Sequence, residues 1–178
     1  MTVRYLSPFV IPEKCFVKEA IAPYGYTIDY DYYCKFCNGR HYLDFLPQIT
    51  TDDKSVLYDI HKRKKDAYSK YLDCARINTG LVNLLIKSKG EYRIALVTTA
   101  SQKNTEDILK RYNLMGIFDL ILTHEDIIKS KPDPEGFLKA MKYFNILPQD
   151  SIIFEDSDVG IEAAEKTGAT VFVTKGFN

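Results

Sequence analysis

The second half of the chain alternates short apolar runs with longer segments of helical spacing. Four runs have strand length and are almost continuously apolar: Arg93–Thr98, Leu120–Thr123, Ser151–Phe154 and Thr170–Val173. The segments between them are predicted helices: about Lys103–Met115, Pro134–Phe144 and Val159–Thr167. Because each connection contains a helix, neighbouring strands should run parallel with right-handed crossovers, and continuously apolar strands are typical of a sheet buried on both faces. The pattern predicts an α/β fold, a doubly wound parallel sheet.

The first half of the chain is predominantly helical in pattern. Helices are predicted at Glu13–Ala22, Asp29–Phe36 and Thr51–Tyr71, with Asp29 as the N-cap of the second. The basic run His61–Lys65 in the third fits a solvated helix face better than a contact for a phosphorylated ligand. We therefore expect a core formed by residues 1–12 and 82–178, with a helical cap insertion formed by residues 13–81.

Composition excludes several classes of partner. The 178 residues contain 24 acidic and 24 basic side chains, so no global field attracts nucleic acid or an anionic membrane. No apolar run approaches the roughly 20 residues that span a bilayer. The N-terminal stretch MTVRYLSPFVIPEK is too short and too interrupted by prolines to be a signal peptide. We expect a cytoplasmic protein without nucleic-acid or membrane partners, and no oligomeric state follows from the sequence.

The cysteines include one motif that suggests a metal site. Cys34 and Cys37 form a CxxC, with His41 close behind. A structural zinc site needs four ligands, and no second closely spaced Cys or His pair is present to complete it. We interpret the cysteines as reduced, structural thiols.

Hydroxyl groups follow the first of the predicted strands. In an open parallel sheet, ligands bind at the carboxyl ends of the strands, and Thr98, Thr99 and Ser101 come directly after one of these ends. A hydroxyl and backbone N–H groups at such a turn can hold phosphate oxygens. We favour the Thr99 hydroxyl with the N–H of Ala100, and Thr98 is the alternative. These residues could also serve only to cap the next helix.

A lysine follows the second strand. Lys131 is a compact charge suited to neutralise a phosphate and a carboxylate together. Pro132 favours an extended backbone at Lys131, and Asp133 and Pro134 are predicted as N-cap and first residue of the next helix. An exposed loop lysine is the alternative interpretation.

Carboxylates follow the third strand. Glu155 and Asp156 provide hard oxygen ligands of the kind that Mg²⁺ prefers. Asp158 either assists them or caps the helix that opens near Gly160. The fold itself is expected to bring the hydroxyl, the lysine and the carboxylates to one site.

Three segments in this half resemble a known family. VTTAS, SKPDPEGF and FEDSDVGIEAA resemble the second, third and fourth motifs of the haloacid dehalogenase (HAD) superfamily, in its β-phosphoglucomutase and phosphoglycolate phosphatase branch. The resemblance covers about Leu81–Phe177, and the helical first half resembles that branch's cap, with a helix pair around Gly39. It implies a HAD-like Rossmannoid core and a phosphatase or phosphomutase that acts on a small phosphorylated metabolite. It also implies Mg²⁺ as cofactor and an aspartyl-phosphate intermediate, with a second aspartate as general acid/base.

The first motif of that family, an apolar strand ending in D-x-D-G-T, is missing. No aspartate precedes Asp29, and counting back from the cap places the motif within Met1–Ser7. We expect Thr2–Leu6 to occupy the central position of the sheet. Without a carboxylate to attack phosphorus, phosphatase activity should be absent or very weak, leaving Lys131 and Thr99 as the catalytic residues that can be identified.

Several alternatives to this interpretation stay open. Asp29 and Asp31 form a D-x-D, but no Gly-Thr follows and the segment fits a cap helix. The chain could be a non-catalytic phosphate-binding or regulatory protein. It could also be a piece of a longer, active phosphatase, because relatives usually add a strand and a helix after the point where VFVTKGFN ends. A response-regulator receiver is disfavoured because its acidic pair precedes the threonine and lysine.

Overall fold

The structure is a computed structural model that describes residues 3–6, 9–10, 13–37, 40–68, 70 and 76–174. The chain divides into two compact units, one formed by Met1–Val10 with Arg76–Asn178 and the other by Ile11–Ala75. The expected division at residues 81 and 82 falls inside a helix that begins at Thr79. The observed division comes before that helix, which therefore belongs entirely to the first unit.

The first unit contains a five-stranded parallel sheet. In chain order the strands of the molecule are β1 (Val3–Leu6), β2 (Phe9–Val10), β3 (Arg76–Ile77), β4 (Arg93–Val97), β5 (Leu120–Leu122), β6 (Ser151–Glu155) and β7 (Thr170–Val173). The large sheet has the order β5-β4-β1-β6-β7, and every neighbouring pair is parallel. The predicted α/β fold is confirmed, and β1 lies at the centre, as expected. Strands β2 and β3 form a small antiparallel pair that the sequence did not indicate.

Helices connect the strands and form the second unit. They are α1 (Glu13–Ile21), α2 (Tyr30–Phe36), α3 (Tyr42–Ile49), α4 (Lys54–Tyr68), α5 (Thr79–Ser88), α6 (Gln102–Arg111), α7 (Glu135–Phe144) and α8 (Asp158–Glu165). Helix α5 was not predicted, although the side chain of Asn78 caps it by accepting from the N–H of Leu81 at 2.9 Å. Helix α6 ends earlier than predicted because Asn113 takes a left-handed conformation (φ 55°).

One layer of the core of the first unit lies between the sheet and helices α7 and α8. Val97, Phe137, Ile153 and Ala163 are each at most 2% exposed and belong to one apolar cluster. Helix α7 approaches β4 closely at Gly136, where a Cβ would lie 2.8 Å from Cγ1 of Val97. This close packing holds the start of α7 beside the carboxyl end of β4.

The second unit contains helices α1 to α4, of which α1 and α4 pack together. Its buried residues include Val17, Ile21, Leu57 and Ile60. The hydroxyl of Tyr24 donates to the carboxylate of Asp59, which also accepts from Arg63 at 2.7 Å. These hydrogen bonds, that of Tyr24 first, lower the pKa of Asp59. No helix in the described ranges is both long enough and apolar enough to cross a membrane.

Two isoleucines offer a matched test of this core. Ile153 is fully buried in β6, whereas Ile128 is 92% exposed. We expect Ile153→Ala to lower the free energy of unfolding by about 2–5 kcal/mol, because it leaves a cavity beside the sheet. Ile128→Ala should change it by less than about 0.5 kcal/mol. Urea unfolding followed by circular dichroism measures both, and equal losses would contradict the assignment of the core.

Candidate functional site

A buried ion pair lies at the carboxyl end of β6. Glu155 is the last residue of that strand and its side chain is 2% exposed. Lys131 comes from the loop between β5 and α7, its side chain is 10% exposed, and its Nζ donates to Oε1 of Glu155. The fold thus brings together the predicted lysine and one of the two predicted carboxylates. Glu155 is the partner of Lys131 here, whereas its residue type had suggested an open metal ligand.

The carboxylate of Glu155 is enclosed by the first turn of α8. Its Oε2 accepts from the N–H of Asp156 at 3.1 Å and from the hydroxyl of Ser157 at 3.3 Å. A Cβ at Gly160 would lie 2.3 Å from both Cδ and Oε2 of Glu155. Any side chain at Gly160 would therefore displace the carboxylate, which explains the glycine in the EDS-x-x-G pattern.

The loop that carries Lys131 is held on several sides. The Lys131 Nζ lies 5.1 Å from the ring centroid of Phe137, which is itself buried. The Lys131–Pro132 peptide bond is cis. Lys166, the C-cap of α8, donates to the carbonyl of Pro132 at 2.9 Å. The ammonium of Lys131 is therefore placed by the sheet and by two helices, and the exposed-loop interpretation is wrong.

The three hydroxyls after β4 have different surroundings. Thr98 Oγ1 accepts from the N–H of Ala100 at 3.1 Å, which closes a turn. Ser101 is the N-cap of α6, where its hydroxyl accepts from the N–H of Asn104 at 3.4 Å. The hydroxyl of Thr99 has no hydrogen-bond partner within the residues that the structure describes. Thr99 is therefore the hydroxyl best placed for a ligand, while the Ala100 N–H that we expected to bind phosphate is occupied by Thr98.

A cleft that is open to solvent contains both Thr99 and Lys131. The residues that line it come from the ends of β4 and β5 and from the start of α7: Val97, Thr98, Thr99, His124, Ile127, Lys129, Ser130, Lys131, Asp133, Gly136 and Phe137. His124 and Lys129 add further basic groups that the sequence analysis missed. Both lie in the loop that follows β5, which ends at Leu122. Their closeness in sequence to the end of a predicted strand could have identified them as candidates.

The described residues do not by themselves form the predicted magnesium site. Among them, no three His, Cys, Asp or Glu side chains gather around one point. Glu155 is engaged with Lys131, and Asp158 is exposed at the start of α8, which Ser157 caps instead. Asp156 is half-buried, and the roles of Glu155 and Asp156 as metal ligands stay predictions. In the CxxC, Cys37 is a free, buried thiol, and the side chain of Cys34 lies outside the described part of the chain.

The alternative nucleophile Asp29 lies in the helical unit. It is the N-cap of α2, as predicted, and its carboxylate accepts from the N–H groups of Asp31 and Tyr32 at 2.9 and 3.1 Å. Asp29 therefore caps a helix and does not follow a strand of the parallel sheet. Gly39, at the predicted turn of the cap, lies outside the described residues.

Glu135 is a further charged residue beside the cleft that sequence reasoning missed. Its two carboxylate oxygens accept from the N–H groups of Ile128 and Lys129, and these bonds lower its pKa. Pro134 occupies the N-cap position predicted for Asp133, and the helix begins at Glu135, one residue later than predicted. The side chain of Asp133 still caps this end by accepting from the N–H of Glu135 at 2.9 Å.

Comparison with known proteins confirms the family resemblance. Residues 14–174 match the family model of the haloacid dehalogenase-like hydrolases. A phosphorylated carbohydrates phosphatase from Thermotoga maritima is 33% identical over 61% of this chain and 50% of its own length. The 2-deoxyglucose-6-phosphate phosphatase 1 of Saccharomyces cerevisiae is 30% identical over 97% of this chain and 77% of its own length.

Solved structures show the same fold. A β-phosphoglucomutase from Clostridium difficile superposes with a TM-score of 0.84 at 21% identity, covering 99% of this chain and 84% of that one. At 21% identity this similarity shows a shared fold and no more than that. The chain spans only half the length of the Thermotoga relative.

Two glycines test the packing around Glu155. We expect Gly160→Ala to lower the free energy of unfolding by about 3 kcal/mol or more, because the new methyl group overlaps the carboxylate and separates it from Lys131. Gly116→Ala is the control, since a Cβ there would meet nothing within 4 Å. It should be neutral, or stabilising by less than about 1 kcal/mol. Thermal and urea unfolding measure both, and a neutral Gly160→Ala would show that Glu155 is not enclosed in this way.

Proposed function

The chain belongs to the haloacid dehalogenase-like hydrolase family, and from this we propose that it binds the phosphate group of a small phosphorylated metabolite. The observation that supports this best is the meeting of Thr99 and the nearly buried Lys131 in one cleft. The relatives named above are phosphatases of phosphorylated sugars. A sugar phosphate is therefore the ligand class that we favour for this chain.

The chemistry of Lys131 suits this ligand. Its ammonium has three N–H donors, of which Glu155 accepts one, so the others can donate to phosphate oxygens. The hydroxyl of Thr99 supplies another donor from β4. Because Glu155 neutralises Lys131, the negative charge of a phosphate must be balanced in part by other groups. Lys129 and His124, which line the same cleft, are the candidates.

We further propose that this chain turns over phosphate esters weakly or not at all. The family's reaction begins with the attack of an aspartate on phosphorus. The central strand is β1, and the first aspartate in the sequence, Asp29, caps a helix of the other unit. The protein would then act as a phosphate-ligand-binding or regulatory member of the family.

A second candidate is an active phosphatase. The match to the yeast phosphatase extends over 97% of this chain. This chain would share the relative's activity if a carboxylate from another part of the protein took the place of the missing aspartate. That activity would depend on Mg²⁺, as it generally does in phosphatases of this family. Asp156 would be one ligand of the ion. Measured turnover separates the two candidates.

Binding is tested by a matched pair of threonine variants. We expect Thr99→Val to weaken the binding of inorganic phosphate and of 2-deoxyglucose 6-phosphate about tenfold, because one hydrogen bond to a charged acceptor is lost. Thr170→Val, at an exposed residue at the start of β7, should leave both affinities unchanged. Isothermal titration calorimetry measures the dissociation constants. Absence of binding to the wild type, or equal affinities in all three proteins, would contradict the proposed site.

Turnover is tested with p-nitrophenyl phosphate in the presence of Mg²⁺. We expect the wild type to hydrolyse it no faster than Lys131→Ala, because no aspartate precedes Asp29 in the sequence. Since Lys131→Ala leaves Glu155 buried without its partner, Thr99→Val serves as a second comparison that should keep its fold. Rapid Mg²⁺-dependent hydrolysis that both substitutions reduce would establish the second candidate and refute the first.

A further inference from the structure

We propose that Glu135 is a positioning residue for Lys131, because it holds the loop that presents the lysine to the cleft. Glu135 would fix the position of Lys131 whether or not a ligand is bound. Its consequence for ligand binding rests on the function proposed above. Neither the family comparison nor the motifs in the sequence assign this role to Glu135.

Hydrogen bonds close the loop from both sides. Oε1 and Oε2 of Glu135 accept from the N–H groups of Ile128 and Lys129 at 2.9 and 2.8 Å. The N–H of Glu135 donates to Asp133 at 2.9 Å, and the N–H of Asp133 donates to the carbonyl of Ser130 at 3.0 Å. Lys131 lies inside this closed segment, directly after Ser130. Two of these four bonds end at the carboxylate of Glu135, which therefore helps to fix the backbone that leads to Lys131.

Apolar packing does not replace these bonds at Ile128 and Lys129, although Ile127 before them is partly buried against the core. The side chain of Ile128 is 92% exposed, and Lys129 is exposed as well. A segment without buried side chains is held mainly by its hydrogen bonds, and it opens readily when they are lost. Loss of the Glu135 carboxylate should therefore release Lys129 and, two residues on, Lys131.

The position of Glu135 offers a simpler explanation that must be separated from this one. Glu135 is the first residue of α7, where a negative charge stabilises the helix through its dipole. Glu135→Gln and Glu135→Ala remove that charge equally. They differ in hydrogen bonding, because glutamine keeps one acceptor oxygen and alanine keeps none. A graded effect therefore identifies the hydrogen bonds, and an equal effect identifies the charge.

The experiment compares wild type, Glu135→Gln and Glu135→Ala without any ligand. Hydrogen exchange reports the protection of the N–H groups of Ile128 and Lys129. Acetic anhydride labelling with mass spectrometry reports the reactivity of Lys131 relative to the exposed Lys142 of α7. Glu106→Gln is the control, since Glu106 also has a pKa lowered by hydrogen bonds, to Lys110 first, but lies on α6.

We expect relative labelling of Lys131 to rise about tenfold in Glu135→Gln, the effect of losing one hydrogen bond to a charged acceptor, and further in Glu135→Ala. Protection at Ile128 and Lys129 should fall in the same order, while the amides in the middle of α7 stay protected. Glu106→Gln should change neither signal. Unchanged reactivity of Lys131 in both variants, or equal changes in the two, would refute the proposal.

A ligand arm separates this proposal from the function proposed above. If inorganic phosphate binds, its affinity should fall in the order wild type, Glu135→Gln, Glu135→Ala. A graded rise in Lys131 labelling without phosphate binding to the wild type would support the positioning role and refute phosphate binding. Phosphate binding that both variants keep, with Lys131 labelling unchanged, would refute the positioning role alone.

Discussion

The ion pair between Lys131 and Glu155 is the constraint on which the rest of the site depends. Both side chains are nearly buried, and removing two charges from water costs several kcal/mol per ion unless the geometry compensates for it. The compensation comes from the residues around the carboxylate. Asp156 and Ser157 donate to its second oxygen, and Gly160 leaves the space that it occupies. The residues of the EDS-x-x-G pattern thus surround the buried carboxylate of Glu155 and donate hydrogen bonds to it.

The ion pair also spans the sheet. Lys131 follows β5, an edge strand, and Glu155 ends β6, with β4 and β1 between them in the strand order. Helix α7 begins directly after the loop of Lys131 and packs closely on β4 at Gly136. This packing places the loop over the sheet, so that the lysine reaches Glu155 at the end of β6. The carboxyl ends of β4 and β1 therefore lie between the loops that supply the charged partners.

The sequence predicted much of the sheet and few of the contacts within the site. Continuously apolar runs predicted four of the five strands of the large sheet. Counting back from the predicted cap placed Thr2–Leu6 at the centre, where the structure has Val3–Leu6. The residue types at the strand ends predicted that Thr99 and Lys131 meet. The sequence did not indicate that Lys131 would bind Glu155 or that Thr98 would bind the N–H of Ala100, and the predicted roles of Glu155 and Ala100 toward a metal and a phosphate stay predictions. Which of several nearby acceptors a donor chooses depends on distances of a few tenths of an ångström, and sequence spacing does not contain them.

The sequence by itself determined the architecture, because the period of the apolar residues and the length of each connection allow only a parallel α/β sheet here. It also determined which residue types stand at the strand ends, and that no aspartate precedes Asp29. Only the tertiary structure decided which of these groups are available to a ligand. Glu155 is enclosed by the turn at Gly160, while Thr99 lines the cleft. The physical reason is that burial and hydrogen-bond partners are set by residues distant in the chain, which periodicity does not record.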